Sequence, residues 1–189
     1  MPVVLFRPSF KIDQRPFTKA VQIEIELGNC VMSTKTAKRR KLSYATLQEV
    51  VDDAKRLIAA DASTTGGWSK GQIFEHLART IDCSLDGYGF TVAWPIRIVG
   101  IYYFKSRIFK HGMSAGFQLK GASKKALSPD PLADQAGLEH LTSSVRRLET
   151  ESKRASSPVF GKLTRDEWNL LHRRHAELHM SFIAESEPH

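Results

Sequence analysis

The stretch "LLHRRHAELHMSF", residues 170–182, places three histidines among leucine, methionine and phenylalanine near the end of the chain. A helix turns by about 100° per residue, which gathers five residues of this region into one arc of about 80°: Trp168, Leu171, His175, Leu178 and Phe182. His175 is therefore predicted to lie in an apolar stripe that faces a core. The helix is predicted to begin at Thr164, with Glu167 completing a capping box, and to end near Ile183.

A second histidine lies one helical turn after His175. His179 is four residues on, and this spacing lets two imidazoles on one helix bind the same ion. The best source of a third ligand is His76, which follows the apolar Ile73 by three residues in an earlier amphipathic segment. His172 is an alternative partner for His175, but it lies about 10 Å from His179 along the helix axis, so all three cannot share one ion.

Three imidazoles of this kind predict a divalent metal ion, with Zn²⁺ or Ni²⁺ as the expected occupant. Three neutral imidazoles and one water form an open tetrahedral site that polarises a bound water or substrate. The metalloprotease motif His-Glu-x-x-His is excluded, because Glu177 comes two places after His175 instead of one. Without a metal, each buried histidine would need its own hydrogen-bond partner, since an unpaired polar group is costly to desolvate.

The rest of the chain is mainly helical in pattern. Apolar residues recur at spacings of three and four in four segments, which are predicted as the main helices: residues 43–58, 69–87, 138–148 and 164–183. Ser43 and Ser69 are the expected N-caps of the first two. An accessory helix is predicted from Pro95 to near Gly112. Residues 112–132 lack periodicity, which indicates a crossover or a lid. The predicted fold is all-α, a four-helix bundle with a long crossover and an accessory helix.

The basic charge is concentrated at one end of the chain. The formal net charge is +8, and residues 1–41 hold nine Lys and Arg against three Asp and Glu. We expect residues 1–40 to be a basic extension, disordered or containing a lone strand at "VQIEIEL" (residues 21–27), and residues 41–189 to form the helical bundle. No nucleic-acid-binding motif accompanies the basic residues, so a nucleic-acid partner is not predicted from charge alone.

Composition favours a cytoplasmic protein without membrane association. The two cysteines, Cys30 and Cys83, are no disulfide framework. The pair Arg39-Arg40 is not followed by the apolar region that a twin-arginine signal requires. The most apolar stretch, residues 88–104, is interrupted by Pro95 and Arg97, which argues against a membrane span. This stretch is instead predicted as a buried or partner-facing helix.

Several further residues have alternative interpretations. Cys83 is either a softer ligand or a buried structural thiol. Gln72, one turn before His76, either orients that ligand or lies on a plain helix surface. His140 is off the apolar stripe of its helix and is expected to be exposed. Trp68 and Trp168 are expected to pack within the bundle.

Four elements of this sequence resemble the DinB-like superfamily of metalloenzymes, and specifically a branch described only as a domain of unknown function. They are "GGWSKGQIFEHLARTIDCSLDGY" (residues 66–88), the run from Pro158 to Thr164, Trp168, and "HRRHAELHMSF" (residues 172–182). The similarity extends from about Arg39 to Phe182.

The resemblance implies a four-helix bundle with a divalent metal held by one histidine of the second helix and two of the last. Matched by position, these are His76, His175 and His179. Relatives include thiol-dependent transferases and isomerases that use low-molecular-weight thiols, and they are often homodimers, so a small-molecule substrate, a thiol and a second copy are the partners implied. The predicted function is a metal-dependent transferase or hydrolase of a small substrate. The alternative is a non-catalytic bundle for binding or dimerisation.

Overall fold

The computed structural model describes residues 39–116 and 120–184, and in these ranges the chain is all-α apart from one pair of two-residue strands. The elements run in chain order as follows: α1 (Leu47–Ala59), β1 (Ser63–Thr64), α2 (Lys70–Asp86), α3 (Trp94–Val99), a π-helical turn (Gly100–Phe104), α4 (Lys105–His111), α5 (Gly121–Leu127), α6 (Asp134–Thr150), α7 (Arg165–Met180) and β2 (Ile183–Ala184). They belong to the unit Thr34–His189. The strand predicted over residues 21–27 lies outside the described residues.

Local side-chain contacts explain where the long helices begin. Thr164 forms the predicted capping box with Glu167. Ser69 is the N-cap of α2, as predicted, and it also forms a capping box with Gln72, which was not predicted. The prediction of Ser43 as the N-cap of α1 is wrong. The N-cap is Thr46, whose side chain accepts the N–H of Glu49, and the helix begins at Leu47.

The last helix is shorter than predicted. It ends at Met180 instead of near Ile183, because Ile183 and Ala184 pair as an antiparallel strand with Thr64 and Ser63. This pairing joins the end of α7 to the segment that leads into α2.

The four long helices enclose the apolar core. Helix α2 packs against both α6 and α7, and α1 packs against the same two helices. Helices α2 and α6 approach so closely that their backbones are in contact, because a Cβ on Gly137 of α6 would collide with the carbonyl of Gly71 in α2. Gly71 also lies close to the chain just before α6, where a Cβ on it would be 2.7 Å from the carbonyl oxygen of Leu132. The largest fully buried side chains are Trp168, Phe74, Leu57, Leu85, Leu141, Leu148, Met180 and Ile183.

The accessory helix and the crossover both differ in detail from expectation. The helix predicted after Pro95 is present as α3, the π-helical turn and α4. Most of its large apolar side chains are exposed, so of the two predicted alternatives the buried one is wrong and the partner-facing one stays a prediction. The aperiodic segment of residues 112–132 contains the short helix α5. In the described parts of the chain, no helix has both the length and the apolar character needed to cross a bilayer.

Candidate metal centre

His76 lies in the middle of α2 and is buried, with 3% of its surface exposed. Its Nδ1–H donates a 2.7 Å hydrogen bond to the carbonyl oxygen of Leu127, the last residue of α5. Two other side chains of α2 bind the residues directly after Leu127. Gln72 donates a hydrogen bond to the carbonyl of Pro129, and Arg79 donates one to the carbonyl of Ser128. The ring orientation of His76 is therefore set by the C-terminal end of α5.

His175 and His179 lie one turn apart on α7 and are partly exposed. The Nδ1 of His175 is 3.4 Å from the hydroxyl oxygen of Thr80, one turn after His76 on α2. Because the Thr80 hydroxyl donates its own hydrogen to the carbonyl of Leu77 at 2.8 Å, its oxygen is free to accept from the Nδ1–H of His175.

These hydrogen bonds determine which nitrogens can bind a metal. A neutral imidazole carries one proton, so Nδ1–H donors at His76 and His175 leave both Nε2 atoms with a lone pair. The two Nε2 atoms face each other at 3.2 Å. Ligands about 2.0–2.1 Å from a tetrahedral Zn²⁺ are separated by about 3.3 Å, so this distance fits two ligands of one ion.

His179 completes a group of three. One ring nitrogen from each of His76, His175 and His179 lies within 4.8 Å of the others. Within the described residues, this is the one set of three or more His, Cys, Asp or Glu side chains that is close enough to share an ion. The rings meet at steep angles, 62° to 87° between planes. Trp68 stacks on His179 at 5.8 Å between ring centroids and contacts His76 at 4.9 Å. The donor set is nitrogen alone, which suits the first-row transition metals Zn, Ni, Cu and Fe.

The surroundings keep the three imidazoles neutral. Burial lowers the pKa of His76, and the charge of Arg79 lowers it further, although the bond to Leu127 acts in the opposite direction. Burial and then the charges of His76 and Arg39 lower the pKa of His179 to about 3. Burial followed by its histidine neighbours puts the pKa of His175 well below the ordinary value. Neutral imidazole is the form that binds a metal ion.

His172 lies outside the cluster and does not replace a ligand in this arrangement. Its Nε2–H donates to the Ser84 hydroxyl at 3.0 Å, and its ring stacks on Trp168 at 5.3 Å between centroids. With 4% of its surface exposed it is more buried than His175. The prediction that His175 points into the core therefore needs correction: His172 occupies that direction, and His175 lies at the edge of the buried face, beside α2.

The remaining candidates take structural positions. Cys83 is a free, half-buried thiol outside the cluster, and burial, with Asp82 and Asp86, raises its pKa. Glu177 accepts from the backbone N–H of Tyr44 and from Arg174, away from the three histidines, in keeping with the exclusion of a protease motif.

His140 has partners that its position along the chain did not indicate. Its two ring nitrogens lie 2.6 Å from a Glu75 carboxylate oxygen and 2.8 Å from one of Asp82, residues two turns apart on α2. Partial burial lowers the pKa of His140, but these hydrogen bonds outweigh it and raise the pKa above its ordinary value. This cluster is an interhelical ion pair between α6 and α2.

Three contributors to the candidate centre were not found from the sequence. Thr80 had a detectable signal, because it lies one turn after His76 on the same helix. Trp68 was expected to pack within the bundle, and it also forms a wall of the centre. The carbonyl of Leu127 had no signal, since any residue supplies a carbonyl and this one lies in an aperiodic segment.

Comparison with known proteins adds one finding. The sequence profile of a family described as "Protein of unknown function (DUF1569)" matches residues 36–186, a range that includes all three histidines. No curated protein and no solved structure matches the sequence.

Proposed function

This chain belongs to the DUF1569 family, and we propose that it is a metal-dependent enzyme in which His76, His175 and His179 hold one divalent ion, Zn²⁺ or Ni²⁺. The observation that carries the proposal is the pair of Nε2 atoms facing each other at 3.2 Å. Their Nδ1–H groups are used on Leu127 and Thr80, so two lone pairs are directed at one point. Two lone pairs this close repel each other, and a cation between the two Nε2 atoms would remove the repulsion and give both acceptors a partner.

The chemistry of such a centre follows from its ligands. A divalent ion held by three neutral imidazoles lowers the pKa of a water or thiol at its fourth position, which prepares that group for hydrolysis or for transfer to a small substrate. The protein contributes orientation, since Leu127 and Thr80 fix the rings. Access is from the side of His175 and His179, because His76 is buried and the other two are partly exposed.

The charges around the centre favour an anionic substrate. All three ligands are neutral, and Arg39 and Arg79 lower the pKa values of His179 and His76 through their positive charge. This positive potential would attract a low-molecular-weight thiol that binds as its thiolate, and it would also attract a small carboxylate. Trp68 offers an apolar face beside the same opening.

We further propose that the four long helices form a DinB-like four-helix bundle, and that the protein acts in the cytoplasm, as a homodimer. The helix contacts support the first of these, because α1 and α2 each pack against both α6 and α7. The carbonyl that orients His76 comes from the long crossover between α2 and α6.

Metal analysis of the full chain, purified without a histidine tag, tests the assignment. We expect about one equivalent of Zn²⁺ or Ni²⁺ per chain, and a loss of stoichiometric metal in His175→Ala. Thr80→Val should retain the metal with an affinity lower by about tenfold, the usual effect of removing a group that orients a ligand. His172→Gln, altered on the same helix three residues away, is the matched control and should bind metal normally. Full occupancy in His175→Ala would refute the site.

Turnover is tested separately from metal binding. The metal-loaded chain is incubated with a low-molecular-weight thiol and a small electrophile, and separately with ester substrates, while thiol consumption and hydrolysis are followed. We expect metal-dependent product formation that is lost in His175→Ala. A stable, metal-free protein without turnover would favour the alternative, a bundle that binds or dimerises without catalysis.

A further inference from the structure

The segment Trp94–His111, which comprises α3, the π-helical turn and α4, exposes eight large apolar side chains. The most exposed are Trp94, Tyr102 and Tyr103, at 72%, 81% and 62%. An aromatic side chain presents roughly 150–250 Å², so these three alone expose on the order of 300–500 Å², as much as the largest patch of a typical monomer. The other exposed members are Ile96, Ile98, Val99, Ile101 and Phe104.

This surface is anchored to the rest of the molecule. Gly100, in the π-helical turn, is buried against Val159, where a Cβ would lie 2.8 Å from the carbonyl oxygen of Val159. Lys105 forms a 2.6 Å ion pair with Glu167 in the first turn of α7. The glycine allows the segment to approach closely and the ion pair fixes its direction, so the outer side chains form a defined surface.

The same part of the chain carries only positive charge. Between Gly87 and Pro129 there are seven Lys and Arg and no Asp or Glu, whereas the rest of the chain beyond residue 41 has twelve against seventeen. Arg97, Arg107 and Lys110 are exposed on the apolar segment itself. Exposed basic and aromatic side chains thus occur together on one segment, whereas the rest of the chain after residue 41 has more acidic than basic residues.

This combination identifies the kind of partner. Tryptophan and tyrosine favour the boundary between lipid headgroups and acyl chains, and Lys and Arg are attracted to anionic headgroups. A second copy docked by two-fold symmetry would place Arg97, Arg107 and Lys110 against a surface that has no acidic residue. The phosphates of a nucleic acid would attract the basic side chains, but a nucleic acid would leave Ile96 and Ile98 without a favourable contact.

We propose that the segment Trp94–His111 docks the protein on an anionic lipid bilayer, with the helix lying in the plane of the membrane surface. The expectation of no membrane association rested on the lack of a spanning segment, and a helix that lies on the surface does not need one. The surface is independent of the three histidines, so it holds whether or not the metal centre is catalytic.

Co-sedimentation of the full chain with vesicles tests the proposal. Vesicles of phosphatidylcholine alone are compared with vesicles that contain about 30% phosphatidylserine. We expect binding to be at least about tenfold tighter with phosphatidylserine and to weaken as salt is raised, because the charges are screened. The tryptophan emission should shift to the blue with anionic vesicles, and this shift should be lost in Trp94→Phe.

Two variants and a control locate the surface. The double variant Trp94→Ser/Tyr102→Ser alters exposed side chains, and it should keep the circular dichroism of the wild type while binding at least about tenfold more weakly. Arg107→Gln should weaken binding about fivefold. Arg146→Gln, an exposed arginine on α6, is the matched control and should have little effect.

Three results would overturn the proposal. The first is equal binding to both vesicle types, or none to either. The second is binding that the double variant leaves unchanged. The third is a different partner for the same side chains: a dimer in sedimentation equilibrium that the double variant dissociates, or a single-stranded oligonucleotide that the wild type binds in place of vesicles.

Discussion

At His76 and His175, the two ring nitrogens of each imidazole have different partners. Each Nδ1–H is used on an oxygen of the protein, and each Nε2 is directed at the other ring. His172, by contrast, directs its Nε2–H at the hydroxyl of Ser84, away from the other histidines. The close approach of the two Nε2 atoms therefore distinguishes His175, a candidate ligand, from His172 on the same helix.

His172 gives a prediction for the pH dependence of stability. Burial, then the charge of Arg154, lowers its pKa from 6.5 to about 3, so between these values the unfolded chain takes up a proton and the folded chain does not. Its contribution to stability is complete above about pH 6.5 and is lost as the pH falls toward 3. In denaturant titrations of metal-free protein at pH 7 and about pH 4.5, the wild type should lose up to about 2–3 kcal/mol more than His172→Gln.

Glutamine at this position can still donate to Ser84 but does not titrate, so the variant changes the pH slope beyond any change in stability at pH 7. The other buried histidines are common to both proteins, and His172 is only the smallest of the causes that lower the pKa of His175, so their main contributions cancel in the comparison. Identical pH slopes for the two proteins would show that His172 does not carry the depressed pKa.

At the level of the elements, the geometry of the centre depends on how closely α2 approaches its neighbours. Helix α2 contributes His76 and Thr80 and packs on both α6 and α7. The approach to α6 is possible because Gly71 and Gly137 lack a side chain at the contact. These glycines serve packing, since neither has a positive φ.

Replacement of Gly137 by alanine should separate these helices. The added methyl group would meet the backbone of Gly71, whose Cα lies 3.0 Å from the new Cβ position, and backbone cannot move aside as the end of a side chain can. We expect a loss of about 1–3 kcal/mol in the free energy of unfolding, measured by urea denaturation. Gly67→Ala is the matched control, because a Cβ there has nothing within 4 Å. Equal stabilities of the two variants would contradict the close contact.

At the scale of the whole molecule, the centre joins two helices that are far apart along the chain. His76 and His175 are 99 residues apart, so an ion bound by both stabilises the folded state over the unfolded one. At a free metal concentration about 100 times Kd this amounts to about 2.7 kcal/mol, or a rise of roughly 5–10 °C in Tm for a chain of this size.

Metal removal should therefore lower the Tm of the wild type by about that amount in differential scanning fluorimetry, and addition of the metal should restore it. The Tm of His175→Ala should be the same before and after the metal is removed with a chelator. A wild-type Tm that does not respond to chelation would argue against an ion that bridges α2 and α7.

Much of this protein follows from local sequence. The apolar periods predict the long helices, Ser69 and Thr164 begin α2 and α7 as expected, and the spacing of His175 and His179 selects a pair on one helix face. These features depend on residues within about one turn of each other, so the local chain is enough to determine them.

Tertiary packing decided the rest. The rotation of α7 about its axis makes His172 the core histidine and leaves His175 beside α2, and periodicity cannot distinguish residues a few tens of degrees apart on one apolar face. The carbonyl of Leu127, the partners of His140 and the exposure of Trp94–His111 all depend on which distant segments meet. A sequence states that a side chain is apolar, but whether it is covered depends on the surface that the rest of the chain places against it.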